Sequence, residues 1–283
     1  MQVKIFQIII ILLFLTSCYS KTPSIKMIGK FHADKDLFLA QFDSKTDVDD
    51  IHSIAGVATI LRDPRFAGVK YHAVAGAYGI QEGLYVPANE LFEEAFGNNW
   101  SDADSNFELA LKEVTSIVIK TLKEDGDIWI AEAGQSDFTS ALIRNLKNIN
   151  PSVQTEERIH VVQHSDWNEN NASQQNLNFV KSNSDYIKIP DGNEIGNGSP
   201  GFKTYEHVII KDKITDANLL RIWEIATEIA NKYNGIDNRY KNPAIADGGL
   251  DFSDVAETCW IFGFDHILDA DQFFKTFSSS SEQ

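Results

Sequence analysis

Four aspartates crowd into eight residues at Asp43-Ser44-Lys45-Thr46-Asp47-Val48-Asp49-Asp50. Carboxylates this close repel one another unless a cation lies among them, and an all-oxygen donor set suits a hard ion, Ca²⁺ or Mg²⁺. The cluster follows the apolar run Leu37-Phe38-Leu39-Ala40 and precedes Ile51, Ile54, Ala58 and Leu61, which recur on one face of a helix. It therefore falls where a strand turns into a helix, the edge at which open α/β sheets bind ligands. A plainer reading has Asp47, Asp49 and Asp50 only capping the helix and offsetting its dipole, which explains the first turn but not all four acids.

Three later segments bring polar groups to strand ends. Trp129 to Asp137 runs from a strand through Gly134 into a helix, where Asp137 is either an N-cap or a site residue. Val161 to Asn170 ends a strand in Asp166, Trp167 and Asn168, an apolar ring flanked by hydrogen-bonding side chains. That composition suits a sugar site, and loops share it. Asp247 to Glu257 places Asp251 and Asp254 at the start of a helix after a glycine pair, which makes Asp254 a plausible last metal ligand.

The elements that must position these groups alternate. Strands are expected over Leu37–Phe42, Val69–Ala75, Asp127–Ala131, Ile159–Val162, Tyr186–Ile189 and His207–Ile210. Helices are expected over Asp50–Leu61, Asn106–Lys123, Phe138–Leu146, Asp216–Tyr233 and Phe252–Gly263. This order predicts a single α/β domain, a mostly parallel open sheet flanked by helices. Ala77–Ser105 and Ser165–Gly201 break the rhythm as long polar segments of the kind that carry function.

Together the motifs DSKTDVDD, EAGQSDF and FSDVAE resemble the nucleoside hydrolase superfamily, from about Leu37 to Gly263. The resemblance implies Asp50 and Asp254 as calcium ligands and Asp49 as the holder of a ribose hydroxyl. Asp137 falls where the family ligates through a backbone carbonyl, so its side chain need not take part. Lys45 stands where the family has an Asp that binds metal and acts as base, Ser253 replaces a late His, and the Glu-Phe-Asn sugar segment has no counterpart. The spacing Asp-x-x-x-acidic-x-Asp-Asp is closer to a divergent branch, the nucleoside-hydrolase-related proteins often labelled cellulose-binding, in which Asp47 would supply the missing carboxylate.

The expectation is a metal-dependent hydrolase of an N- or O-glycosidic bond in a nucleoside or related furanosyl sugar. The ion would be held by Asp43, Asp50, Asp254 and the Asp137 turn, and would acidify a bound water. Asp47 or Asp43 would act as base, and Asp49, Asp166, Trp167 and Asn168 would hold the substrate. His164 and Asp166 are candidates to protonate the leaving group. The alternative is a non-catalytic sugar- or nucleoside-binding lipoprotein that keeps the ion and the sugar pocket but has lost turnover. Lys45 favours it, since an ammonium among the carboxylates is able to replace the metal with a salt bridge. A haloacid dehalogenase-type phosphatase needs Asp-x-Asp after the first strand, which Asp43-Ser44-Lys45 does not supply.

Met1 to Ser17 has a basic start and an apolar stretch too short to span a bilayer, and Leu15-Thr16-Ser17-Cys18 resembles a bacterial lipobox. That implies cleavage before Cys18, lipidation of its thiol and anchoring to the cell envelope, at the outer membrane if the cell is Gram-negative. Residues 18–30 read as lipidated Cys and tether, 31–277 as the domain and 278–283 as a polar tail. With Cys18 used, Cys259 has no partner and sits in an apolar stretch as a core residue. A net charge of -16 argues against nucleic acid and against any membrane contact beyond the lipid anchor. The expected partner is a small sugar or nucleoside; the sequence leaves an oligomer open.

Overall fold

The computed structural model describes residues 26–278. The expected signal peptide, Cys18, most of the tether and the end of the polar tail lie outside them. Among the described residues no helix is long and apolar enough to cross a membrane.

Six strands make one wholly parallel sheet: β1 (Leu37–Phe42), β2 (Lys70–Ala75), β3 (Trp100–Asp102), β4 (Ile128–Ala133), β5 (Ile159–Gln163) and β6 (Asp185–Lys188). Their spatial order is β3-β2-β1-β4-β5-β6. Every residue of β1 and β4 is buried. Strands buried on both faces need helices on both sides, and the chain supplies them. On one face Phe38, Ala40 and Phe42 pack with α1 (Asp49–Arg62), α2 (Asn89–Phe96), α7 (Ala217–Tyr233), α8 (Ala256–Ile261) and α9 (Ala270–Phe277). On the other, Leu37, Leu39, Ile128 and Ile130 pack with α3 (Phe107–Lys123), α4 (Asp137–Ile149) and α6 (Gln174–Asn183). The short α5 (Asp166–Asn171) follows β5, and an antiparallel pair, β7 (Lys203–Thr204) with β8 (Leu250–Asp251), lies outside the main sheet.

The chain leaves β1 toward β2 and β3 and later returns to β4 on the other side. Crossovers diverge there, which opens a crevice at the carboxyl ends of β1 and β4. Two expectations fail locally. His207–Ile210 is not a strand: Ile210 opens a 3-10 turn, Val208 and Ile210 pack part-buried on the core, and Ile209 is exposed. The helix expected over Phe252–Gly263 begins as a 3-10 turn at Ser253–Val255 before α8. Cys259 is a buried free thiol, its pKa pushed up by burial, in keeping with a core role.

Candidate functional site

The carboxyl end of β1 runs into a turn that its own aspartates hold. Lys45 N–H donates to Asp43 Oδ1 (2.7 Å), Val48 N–H to Asp47 Oδ1 (2.6 Å) and Asp50 N–H to Asp49 Oδ1 (2.9 Å). The amide of Ser44 donates to Asp50 Oδ2, closing the loop onto the first turn of α1. Val48, at the N-cap position of α1, offers no side-chain cap, so acids of the turn take that role. Asp49 thus satisfies an amide of α1, whereas Asp50 spends Oδ2 on the loop amide of Ser44, and its Oδ1 is buried without a hydrogen-bond partner among the described residues.

Asp50 lines a pocket of about 450 Å³ at the crevice between β1 and β4. Asp43, Asp47, Asp49, Asp50 and Asp254 line it, with Lys45, Thr46, His164, Ser165, Trp167, Asn168, Asn193, Lys203 and Tyr240. Burial drives the Asp43 and Asp47 carboxyls up to about 7, with Asp254 adding repulsion to both and Asp251 to Asp47. Burial, then neighbouring acids, likewise raises Asp49 and Asp50 well above the ordinary range. Asp47 and Asp49 keep a solvent-facing side in the pocket, which softens the effect relative to Asp50, only 2% exposed. The cluster is thus short of positive charge.

Asp254 comes from the 3-10 turn before α8 and is held on both oxygens. Ser53 Oγ, on α1, donates to Oδ2 (3.2 Å), and His164 Nε2, just past β5, lies 3.2 Å from Oδ1. His164 is buried, and Gly192 N–H donates to its Nδ1 (2.8 Å). A Cβ at Gly192 would meet Ser253 O at 2.4 Å, so only glycine brings this amide so close. Two influences on the imidazole oppose each other. Burial lowers its pKa, while Glu257 and Asp254 outweigh burial and raise it. In the neutral ring the Gly192 amide decides the tautomer, because an N–H aimed at Nδ1 requires a lone pair there, and the remaining proton sits on Nε2 toward Asp254. Glu257 accepts His164 N–H (3.0 Å), and burial lifts its own carboxyl to about 8.

Asp43 is fixed from the β4 side by amides that the sequence reading missed. Gln135 Nε2 donates to Asp43 Oδ2 (2.7 Å) and to Asn168 Oδ1 (3.0 Å), and Gln81 Nε2 reaches the same Asp43 oxygen at 3.4 Å. Gln163 donates to the carbonyls of Glu132 (2.7 Å) and Gly134 (2.9 Å), tying β5 to β4. At Gly134 a Cβ would lie 2.4 Å from Ala77 O, so the close approach of this turn to the loop after β2 needs glycine.

Of the expected site residues, Asp43, Asp47, Asp49, Asp50, Asp254, Trp167 and Asn168 all line the pocket. Two side chains do not. Asp137 accepts from Ser173 N–H (3.0 Å) and Asn176 Nδ2 (2.7 Å), pinning α4 to α6, so its carboxylate is a tether and not an ion ligand. Asp166 is exposed and pairs with Lys188 (2.8 Å), so it belongs neither to substrate holding nor to leaving-group protonation. Ser253 Oγ donates to Asp251 Oδ1 (3.0 Å), turned toward β8. Lys45 Nζ lies 4.4 Å from the centre of the Tyr78 ring. The other pocket lysine, Lys203, pairs with the fully buried Asp251 at 2.9 Å and was not anticipated, nor were Tyr240 and Asn193.

Among the described residues no group of three or more His, Cys, Asp or Glu side chains is placed so that it could hold a metal ion. The donor chemistry nevertheless fits a hard cation: oxygen atoms only, mutual repulsion, and an orphaned buried oxygen on Asp50. No protein-family model, curated protein or solved structure matches the chain.

Proposed function

We propose that this protein is a metal-dependent hydrolase of a glycosidic bond in a nucleoside or related furanosyl sugar, with Ca²⁺ (or Mg²⁺) held by Asp43, Asp50 and Asp254. The unpartnered Oδ1 of Asp50, a buried atom of a pocket-lining residue among raised-pKa carboxylates, carries the reading. A bound ion would supply positive charge for two sugar hydroxyls and for acidifying water. Asp49, beside the proposed ligands, orients a hydroxyl. Asp47 faces the pocket with its carboxyl lifted to about 7, suited to taking a proton from water near neutral pH. The surrounding carboxylates favour the positive charge that develops on the sugar as the bond breaks. Trp167 and Asn168 offer a ring face and an amide at the pocket wall.

One observation favours the rival, a sugar-binding protein without turnover. The pocket histidine is occupied on both nitrogens, by Asp254 and Gly192, so no free acid stands ready for the leaving group. Calorimetry with Ca²⁺ and a hydrolysis assay on nucleosides and aryl furanosides separate the two. Ca²⁺ binding lost in Asp50→Asn, with turnover lost in Asp47→Ala, is the expected result. Ion binding without turnover selects the binding protein. No binding at millimolar Ca²⁺ or Mg²⁺ removes the metal reading.

A further inference from the structure

Two lysines line the pocket, and their ammonium groups are used differently. Lys203 Nζ is committed to Asp251 at 2.9 Å and to Asn193 Oδ1 at 3.3 Å. Lys45 lines the same pocket as five aspartates, yet among the described residues it forms no ion pair with any of them. A lysine present only to offset the acidic floor would fall onto a carboxylate, as Lys203 does. Lys45 is held away from it. Its backbone is pinned by its N–H to Asp43 Oδ1 (2.7 Å) and by an antiparallel bridge to Tyr85. Its ammonium rests over the Tyr78 ring, whose hydroxyl donates to Asp104 Oδ1 at 3.0 Å. The ring fixes the ammonium by attraction to its face while leaving the N–H donors of the ammonium unpaired.

A wall that keeps an uncommitted cation apart from an acidic floor sorts a ligand with two chemistries. Hydroxyls go to the floor, and an anionic group goes to the wall. The pocket, at about 450 Å³, is large enough for a sugar with a substituent. We propose that Lys45, seated on Tyr78, is the subsite for an anionic substituent, a phosphate or carboxylate, carried by the sugar substrate. This names the substrate class for the hydrolase proposed above and rests on that reading for the placement of the sugar. A lysine suits the task because a compact ammonium meets a phosphate or carboxylate as a point charge, without the planar fork that arginine would impose.

The test is calorimetric titration of the full chain with ribose, ribose 5-phosphate and the corresponding 5-carboxylate at neutral pH with Ca²⁺ present. Ca²⁺ alone is titrated separately. At least one anionic sugar is expected to bind about tenfold or more tightly than ribose, and the preferred arm tells phosphate from carboxylate. Lys45→Met should erase that ratio, and Lys45→Arg should keep most of it. A ratio near one in the unsubstituted chain, no binding of any of the three sugars, or a ratio that survives Lys45→Met overturns the proposal. Such results in a chain that binds Ca²⁺ leave the metal reading standing. A Lys45-dependent preference in a chain that binds no Ca²⁺ supports the anion subsite and overturns the metal reading instead.

Discussion

Asp254 and His164 show how one residue's usefulness is decided by its neighbours. Asp254 lies far along the chain from the first acidic cluster, and only the fold brings it to Asp50, where their charges repel. Its candidacy was legible because an acid followed a glycine pair at a helix start, and the fold places it on the pocket wall. Its support was not, since nothing in a lone His after a strand says which carboxylate it will meet. The two nitrogens of His164 allow a clean experiment. Glutamine can place an N–H donor near the Nε2 position, whereas asparagine reproduces the shorter reach of Nδ1. His164→Gln should therefore keep Asp254 oriented and hold Ca²⁺ affinity within a few-fold. His164→Asn should keep the Gly192 contact and weaken Ca²⁺ by about tenfold, the equivalent of losing one hydrogen bond to a charged group. Calorimetry on both variants, with melting curves to confirm folding, reads the difference. Equal loss in both would mean that His164 supports the site only by filling space.

At the scale of elements, the parallel sheet was readable because its central strands are mostly apolar runs that alternate with amphipathic helices. Leu37–Phe42 appears with the expected bounds, and the helices after β1 and before β4 differ by a residue or two at their ends. What escaped was short or held by polar contacts. The edge strand Trp100–Asp102 has three residues and no period to detect, and it takes its place by pairing with Ala73–Ala75. The His207–Ile210 run is apolar enough for a strand, but no neighbour offers it an edge and it curls into a turn. Asp137 is instructive. Its position at the start of α4 satisfied a ligand motif, while the side chain instead accepts from Ser173 and Asn176 on the following helix unit. Asp137→Ala should then cost about 1–3 kcal/mol of stability, since two donors lose a charged acceptor. Ca²⁺ affinity should stay within about twofold. A denaturant titration beside calorimetry checks it, and a large fall in ion affinity with unchanged stability would return Asp137 to the ligand set.

The whole molecule concentrates acid where the sheet order 3-2-1-4-5-6 reverses, and this gives its stability a particular dependence on pH. Burial raises Asp43 and Asp47 to about 7, Glu132 from 4.5 to about 7 and Glu257 to about 8. A carboxyl with a raised folded pKa binds its proton more tightly when folded. Its contribution is present in full below the unfolded pKa and is lost as pH climbs through the folded one. His52 and His72, lowered by burial to about 4, act in the opposite sense, but only below their unfolded value of 6.5. Between about pH 6.5 and 8 the carboxyls act unopposed, so the metal-free protein should melt at progressively lower temperature across that range. Ca²⁺ should flatten the slope, because a cation beside Asp43 and Asp50 favours their ionised forms and adds binding energy to the folded state. Glu132 provides an internal control away from the proposed ion. It is fully buried on β4, accepts one hydrogen bond from Ser136 Oγ (2.8 Å) and leaves Oε1 unpartnered. Glu132→Gln should raise the melting temperature at pH 8 with or without Ca²⁺, by up to roughly 3 kcal/mol of stability, from the cost of ionising this one carboxyl. Melting curves over that pH range, with Ca²⁺ and with a chelator, decide the matter. A metal-free profile that stays flat above pH 6.5 would mean that the pocket carboxylates are already ionised and compensated, and the argument for a cation among them would lose its electrostatic ground.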